Sequence, residues 1–177
     1  LTGTRRVGKT TIQYQMIDRL LKKGVPPQKI LFVSMDHPML KLSGLNDLLE
    51  CYHSNVYAEQ DCYYFFDEIQ YASDWDKWMK TIYDMQPETK MVATGSASPA
   101  LMKGSSESGA GRWSVIQVPT LSFYEYCALI GARVPELGPE IRPTAFLHMA
   151  QQERTAVMIK LEEVQNYFMR YLRVGGF

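Results

Sequence analysis

The sequence has only three cysteines and three histidines in 177 residues. Cys51, Cys62 and Cys127 are odd in number and show no C-x-x-C spacing, which argues against a disulfide framework and predicts buried free thiols of a cytosolic protein. His37, His53 and His148 lie far apart and form no H-x-x-x-H pair, so a metal centre built from side chains alone is not expected. Excess charge is missing too. The 19 basic residues are balanced by 19 acidic ones, which removes the electrostatic footprint of a domain that wraps nucleic acid and leaves room only for a small local patch. No apolar run approaches the roughly 18 residues that suggest a membrane span, and no signal peptide, internal repeat or low-complexity tract is present. Apolar residues at 46% and charged residues at 21% are those of a soluble globular chain with one main domain and a sizeable core.

What is present begins at once. Gly3-Thr4-Arg5-Arg6-Val7-Gly8-Lys9-Thr10-Thr11 reads G-x-x-x-x-G-K-T and runs into an apolar helical pattern. This is the pattern of a phosphate-binding loop: glycines let the backbone form a concave nest of inward N–H groups, and the next helix adds its positive end. Lys9 is expected to reach the β and γ phosphates of a nucleotide, and the Thr10 hydroxyl to complete the shell of a Mg²⁺ ion, with Thr11 a spare hydroxyl. Ile12, Met16, Ile17, Leu20 and Leu21 are predicted to share one face of a helix that stops at Gly24. Because Leu1-Thr2 stands directly before the loop, where a strand belongs, the first strand and the true N-terminus are expected to lie upstream.

A continuous apolar run over Lys29–Met35 predicts a strand buried on both faces. Asp36 after it is either near a ligand at the strand tips or a turn former before His37-Pro38. Ser43 is expected to cap a helix through Leu45, Leu48, Leu49 and Tyr52. Cys62-Tyr63-Tyr64-Phe65-Phe66 then closes on Asp67-Glu68. After a phosphate loop, Asp67 at such a strand tip is expected to hold Mg²⁺ opposite Thr10, and Glu68 to polarise the attacking water; a pair of solvated acids is the bland alternative. Asp74 opens a helix whose Trp75, Trp78, Met79, Ile82 and Tyr83 read as a core face rather than a base-stacking surface. Lys90–Thr94 is a third strand, and Ser96 after it, or Thr94 or Ser98, is placed to sense the γ phosphate, while Ser98-Pro99 reads as the cap of a helix from Ala100. Residues 103–111 are flexible by composition and deliver Arg112, either an arginine finger or a surface arginine, just before a strand over Trp113–Val118. Ser122-x-x-Glu125 is a capping box for a helix through Tyr126, Leu129 and Ile130 that stops at Gly131. Residues 132–143 read as a linker, and 144–173 as one helix with Val157, Leu161, Val164, Phe168 and Tyr171 on a face.

The stretches G-T-R-R-V-G-K-T-T, Y-Y-F-F-D-E-I-Q, T-G-S-A-S, S-G-A-G-R, L-S-F-Y-E-Y and Y-L-R-V-G-G-F resemble, in order and over nearly the whole chain, a prokaryotic family of AAA-type ATPases. That family is similar to both AAA+ and STAND-type ATPases, and its ATPase module precedes a C-terminal domain of unknown function. The resemblance implies that Lys9 and Thr10 belong to Walker A, Asp67 and Glu68 to Walker B, Ser96 to the sensor position and Arg112 to the arginine of the G-R motif. The expected architecture is an α/β phosphate-loop NTPase with a mainly parallel sheet flanked by helices and a small helical appendage. Residues 1–131 form the core and 144–177 a lid or the start of a further domain. The expected function is Mg²⁺-dependent ATP hydrolysis coupled to conformational change in the cytoplasm, with ATP and ADP as ligands and no membrane. Two alternatives stay open: a slow nucleotide-dependent switch acting on nucleic acid or protein through the C-terminal domain, and a small-molecule kinase. So does assembly into a homo-oligomer.

Overall fold

A computed structural model of the chain describes residues 1–41, 44–96, 111–138 and 141–175, without the side chains of Lys41 and Pro143. It divides into two compact units, Leu1–Pro119 and Thr120–Phe177. The first unit therefore ends before the helix opened by Ser122, which belongs with the second.

The first unit carries five short parallel strands: β1 (Thr2–Gly3), β2 (Ile30–Ser34), β3 (Tyr63–Asp67), β4 (Lys90–Ala93) and β5 (Gly95–Ser96). Thr94 alone separates β4 from β5, so the run 90–96 pairs with β3 on one side and with β1 on the other. The acidic strand β3 and the loop strand β1 are thus not neighbours. Part of the first strand is present after all, in Thr2 and Gly3. The segment expected as a strand over 113–118 is mostly irregular and joins through one parallel bridge, Thr2 to Gln117. There the Thr2 N–H donates to Ile116 C=O at 2.9 Å and the Val118 N–H to Thr2 C=O at 2.6 Å.

Period-two alternation assigns the two sheet faces. Leu31, Val33, Tyr64, Phe66, Met91 and Ala93 point to α2 (Leu45–Asn55) and α3 (Trp75–Met85), where Leu45, Leu49, Tyr52 and Ile82 complete the main core. A fully buried Phe or Leu among them contributes about 1.5–3 kcal/mol by leaving water. Phe32, Phe65 and Val92 point the other way, to Tyr14, Met16 and Leu20 of α1 (Lys9–Lys22). The α/β architecture with parallel strands and helices on both faces is the expected one.

Details differ from expectation for local reasons. The cap position of α2 is Gly44, whose N–H donates to Asp47 Oδ2 at 3.3 Å, while Ser43 lies outside the described residues. Leu21 and Tyr83, expected on the packed faces of their helices, are exposed. At the far end of β3, the buried Tyr64 hydroxyl bonds His53 Nε2 at 2.7 Å. Burial first, then the neighbouring Cys62 thiol, holds the Tyr64 phenol above its ordinary range, so it remains an O–H donor.

In the second unit, α4 (Phe123–Leu129) begins with the capping box as expected: Glu125 N–H donates to Ser122 Oγ at 3.3 Å and Ser122 N–H to Glu125 Oε2 at 2.7 Å. The expected single helix over 144–173 is two, α5 (Pro143–His148) and α6 (Gln151–Val174). Ala150 restarts it in extended conformation, its N–H taken by Glu153 Oε2 at 3.2 Å. Phe123 and Tyr126 of α4 pack on Phe168 and Tyr171 of α6, and the Tyr171 hydroxyl donates to Leu121 C=O at 2.7 Å. Val157 and Val164 are buried, whereas Leu161 and Phe168 remain partly exposed.

Candidate functional site

The loop between β1 and α1 is shaped by two left-handed residues, Arg6 at φ 67° and Gly8 at φ 89°. Gly8 is the N-cap of α1, makes no side-chain cap bond, and is followed by a first turn with no acidic residue. The helix itself thus supplies neither a side-chain cap nor an acid for its positive end. Gly3 serves differently. Its backbone is extended, but a Cβ there would stand 2.4 Å from the Val118 carbonyl oxygen, so the requirement is close approach rather than φ. Lys9 is only 5% exposed. Its ammonium donates to the Gly3 and Thr4 carbonyls at 3.1 and 2.9 Å, which holds a cation under the loop. Thr4, Arg5, Arg6 and Thr11 are exposed, and Val7 and Thr10 half-buried.

Thr10 meets Asp67 from across the intervening strand, donating from Oγ1 to Oδ2 at 2.8 Å. Asp67 is 6% exposed, and its other oxygen accepts from the hydroxyl of fully buried Thr94. That hydroxyl also accepts the Glu68 N–H at 3.1 Å. Thr94 thus binds both acids of the β3 tip. Ser96 lies in β5 as the register partner of Gly3.

Gln13 was missed altogether. It sits on α1 one turn beyond Lys9 with no exposed surface, and Nε2 donates to the Phe66 and Val92 carbonyls at 3.1 Å each. The helix that carries Lys9 and Thr10 is thereby fastened to β3 one residue before Asp67. Glu68 adopts the left-handed conformation, φ 51° and ψ 47°, and leads into a 3-10 turn over Ile69–Tyr71. Its carboxylate accepts from Gln70 Nε2. Lys9, Thr10, Asp67, Glu68 and Thr94 therefore form one connected constellation with the loop. Arg112 stands outside it, in a forked ion pair with Asp84: Nε to Oδ1 at 3.0 Å and Nη2 to Oδ2 at 3.4 Å. Ser98, the helix expected from Ala100 and the segment 103–110 lie outside the described residues.

Among the described residues no group of three or more His, Cys, Asp or Glu gathers as a metal site, and no helix is long and apolar enough to cross a membrane. The oxygen donors at Thr10 and Asp67 suit a hard divalent cation that completes its shell with phosphate and water. The buried ammonium and open helix end suit a polyphosphate.

A family model described as an AAA domain matches residues 1–127. Uncharacterized protein MJ1637 of Methanocaldococcus jannaschii is 34% identical over 99% of this chain and 37% of its own length. Uncharacterized protein MJ1544 of the same organism is 28% identical over 99% of this chain and 34% of its own. An uncharacterized protein of Haemophilus influenzae is 28% identical over 71% and 32%. The chain spans about a third of the length of these curated relatives.

Proposed function

Because the chain belongs to the AAA domain family, a family of ATPase-type nucleotide-binding modules, we propose that it binds ATP with Mg²⁺ at the loop and hydrolyses the γ phosphate. The observation that carries this reading is the 2.8 Å meeting of the Thr10 hydroxyl with the Asp67 carboxylate at the uncapped N-terminus of α1. The backbone of Gly3–Gly8 cradles the phosphates, and the Lys9 ammonium leaves the loop carbonyls for their oxygens. Mg²⁺, held by Thr10 and Asp67, supplies charge neutralisation at the phosphates. Glu68 orients the water opposite the leaving group, and the Ser96 hydroxyl, beside Gly3, senses the terminal phosphate. Thr94 keeps Asp67 in place. Arg112, engaged with Asp84 within its own unit, serves a neighbouring copy in a homo-oligomer.

The hydrolytic cycle drives a conformational change. In the relatives about two thirds of the length lies beyond the matched part, and there we place the element that uses it, acting on protein or nucleic acid.

Titration with a fluorescent ATP analogue, with and without Mg²⁺, tests the site. Lys9→Ala is expected to weaken binding about tenfold or more, since a charge-assisted contact is worth roughly 1.5–3 kcal/mol. Thr10→Ala should weaken only the Mg²⁺-containing titration. Affinities equal to wild type in both variants would remove the proposal.

A further inference from the structure

Glu68 departs from local rules in ways that its own turn sustains. It is one of three non-glycine residues with positive φ among the described residues, and the only one of these directly after a buried strand tip. A left-handed conformation is unfavourable for a residue with a Cβ, so neighbours must hold it. They do. The Thr94 hydroxyl accepts the Glu68 N–H, the Thr94 carbonyl accepts the Ile69 N–H at 2.9 Å, and the Glu68 carbonyl accepts the Tyr71 N–H at 3.1 Å. Ile69, buried in the main core, anchors the turn. Between them stands Gln70. Its Nε2 donates to Glu68 Oε2, while its Oε1 is buried with no hydrogen-bond partner among the described residues. The orientation that leaves this oxygen unpaired among the described residues, a costly one, aims the NH₂ at the carboxylate.

From this geometry we propose that Gln70 is a positioning residue for Glu68. It fixes the carboxylate by one oxygen and leaves the other to take the hydrolytic water, so the ready rotamer is set by the 69–71 turn before nucleotide arrives. The inference rests on the role proposed for Glu68 as the residue that orients water. Because an amide donates without giving up its proton, Gln70 restrains the carboxylate and takes no part in proton transfer. Tyr71 of the same turn accepts a long, exposed hydrogen bond from Arg5 Nη2 of the phosphate loop at 3.5 Å.

The test is steady-state phosphate release from Mg-ATP by the full chain, in wild type, Glu68→Gln, Gln70→Ala, the double variant and Gln70→Glu. Gln70→Ala is expected to lower kcat roughly tenfold with KM and ATP affinity within about twofold of wild type, as for loss of one hydrogen bond to a charged group. In the Glu68→Gln background it should cause no further loss, because the residue it positions is already disabled. Gln70→Glu sets carboxylate against carboxylate and should lower kcat at least as much. A merely structural role would cut both backgrounds alike and raise KM. Unchanged kcat in Gln70→Ala, or equal losses in both backgrounds, would overturn the proposal alone. Wild-type turnover in Glu68→Gln, or none in wild type, would overturn the reading of Glu68 and this proposal with it.

Discussion

Replacing Gly3 by alanine tests how the loop is built. The added Cβ would stand 2.4 Å from Val118 O and 3.1 Å from Val7 Cγ2, and the first neighbour is backbone, so the 116–118 segment must retreat. Overpacking of this kind costs about 1–3 kcal/mol. Retreat also breaks the 2.6 Å hydrogen bond from Val118 to Thr2, worth about 1 kcal/mol. The expected total is about 2–4 kcal/mol, which for a chain of this size lowers Tm by about 4–16 °C. Gly8→Ala is the control: φ is 89°, but no atom lies within 4 Å of the new Cβ, so only the left-handed cost of about 1–2 kcal/mol applies. Thermal unfolding followed by circular dichroism should therefore rank Gly3→Ala below Gly8→Ala in stability. A Gly3→Ala protein within about 2 °C of wild type, or more stable than Gly8→Ala, would refute the close approach of β1 to the 116–118 segment.

Thr94→Val keeps the shape of a fully buried side chain and removes the hydroxyl shared by Asp67 and Glu68. It should cost about 1–3 kcal/mol in chemical denaturation and lower kcat while Mg²⁺-free ATP affinity holds, with Thr94→Ser restoring both; unchanged stability and turnover would remove Thr94 from the site. Thiol labelling of the native protein should modify Cys51 and spare Cys62 and Cys127, which are buried. Burial also raises the Cys62 thiol above its ordinary range, which slows it further. Rapid labelling of Cys62 would contradict the packing around β3, and of Cys127 the packing of α4.

The loop, the strands β2 and β3 and the helices over α2 and α3 were legible because each is written locally, in a glycine spacing, an unbroken apolar run or a 3.6-residue stripe. The residues that connect them were not. Gln13 belongs to no apolar stripe, and nothing in its neighbourhood along the chain announces two strand carbonyls 53 and 79 residues away. Thr94 and Ser96 look alike in a T-G-S run; only the register, which pairs Ser96 with Gly3 and leaves Thr94 between β4 and β5, tells them apart. Arg112 carried no local sign of Asp84, 28 residues earlier. The long C-terminal helix read as continuous because its apolar spacing survives the break at Met149-Ala150, where an extended Ala150 and Glu153 restart the hydrogen bonding. Arg6 in a left-handed conformation was equally hidden, since the glycine beside it satisfied the motif.

Hydrolysis at this loop is tested most directly by phosphate release from Mg-ATP, measured beside nucleotide retention, for wild type and Glu68→Gln across a range of protein concentrations. Turnover in wild type that falls by roughly 10²–10⁴ in Glu68→Gln, with ATP still bound, is the expected result. Specific activity that rises with concentration in wild type and stays flat in Arg112→Ala would support the proposed role of Arg112 in a neighbour's site. Equal turnover in the two proteins, or loss of nucleotide from the variant, would contradict the assignment of Glu68, and no phosphate release from wild type would contradict the proposed hydrolysis.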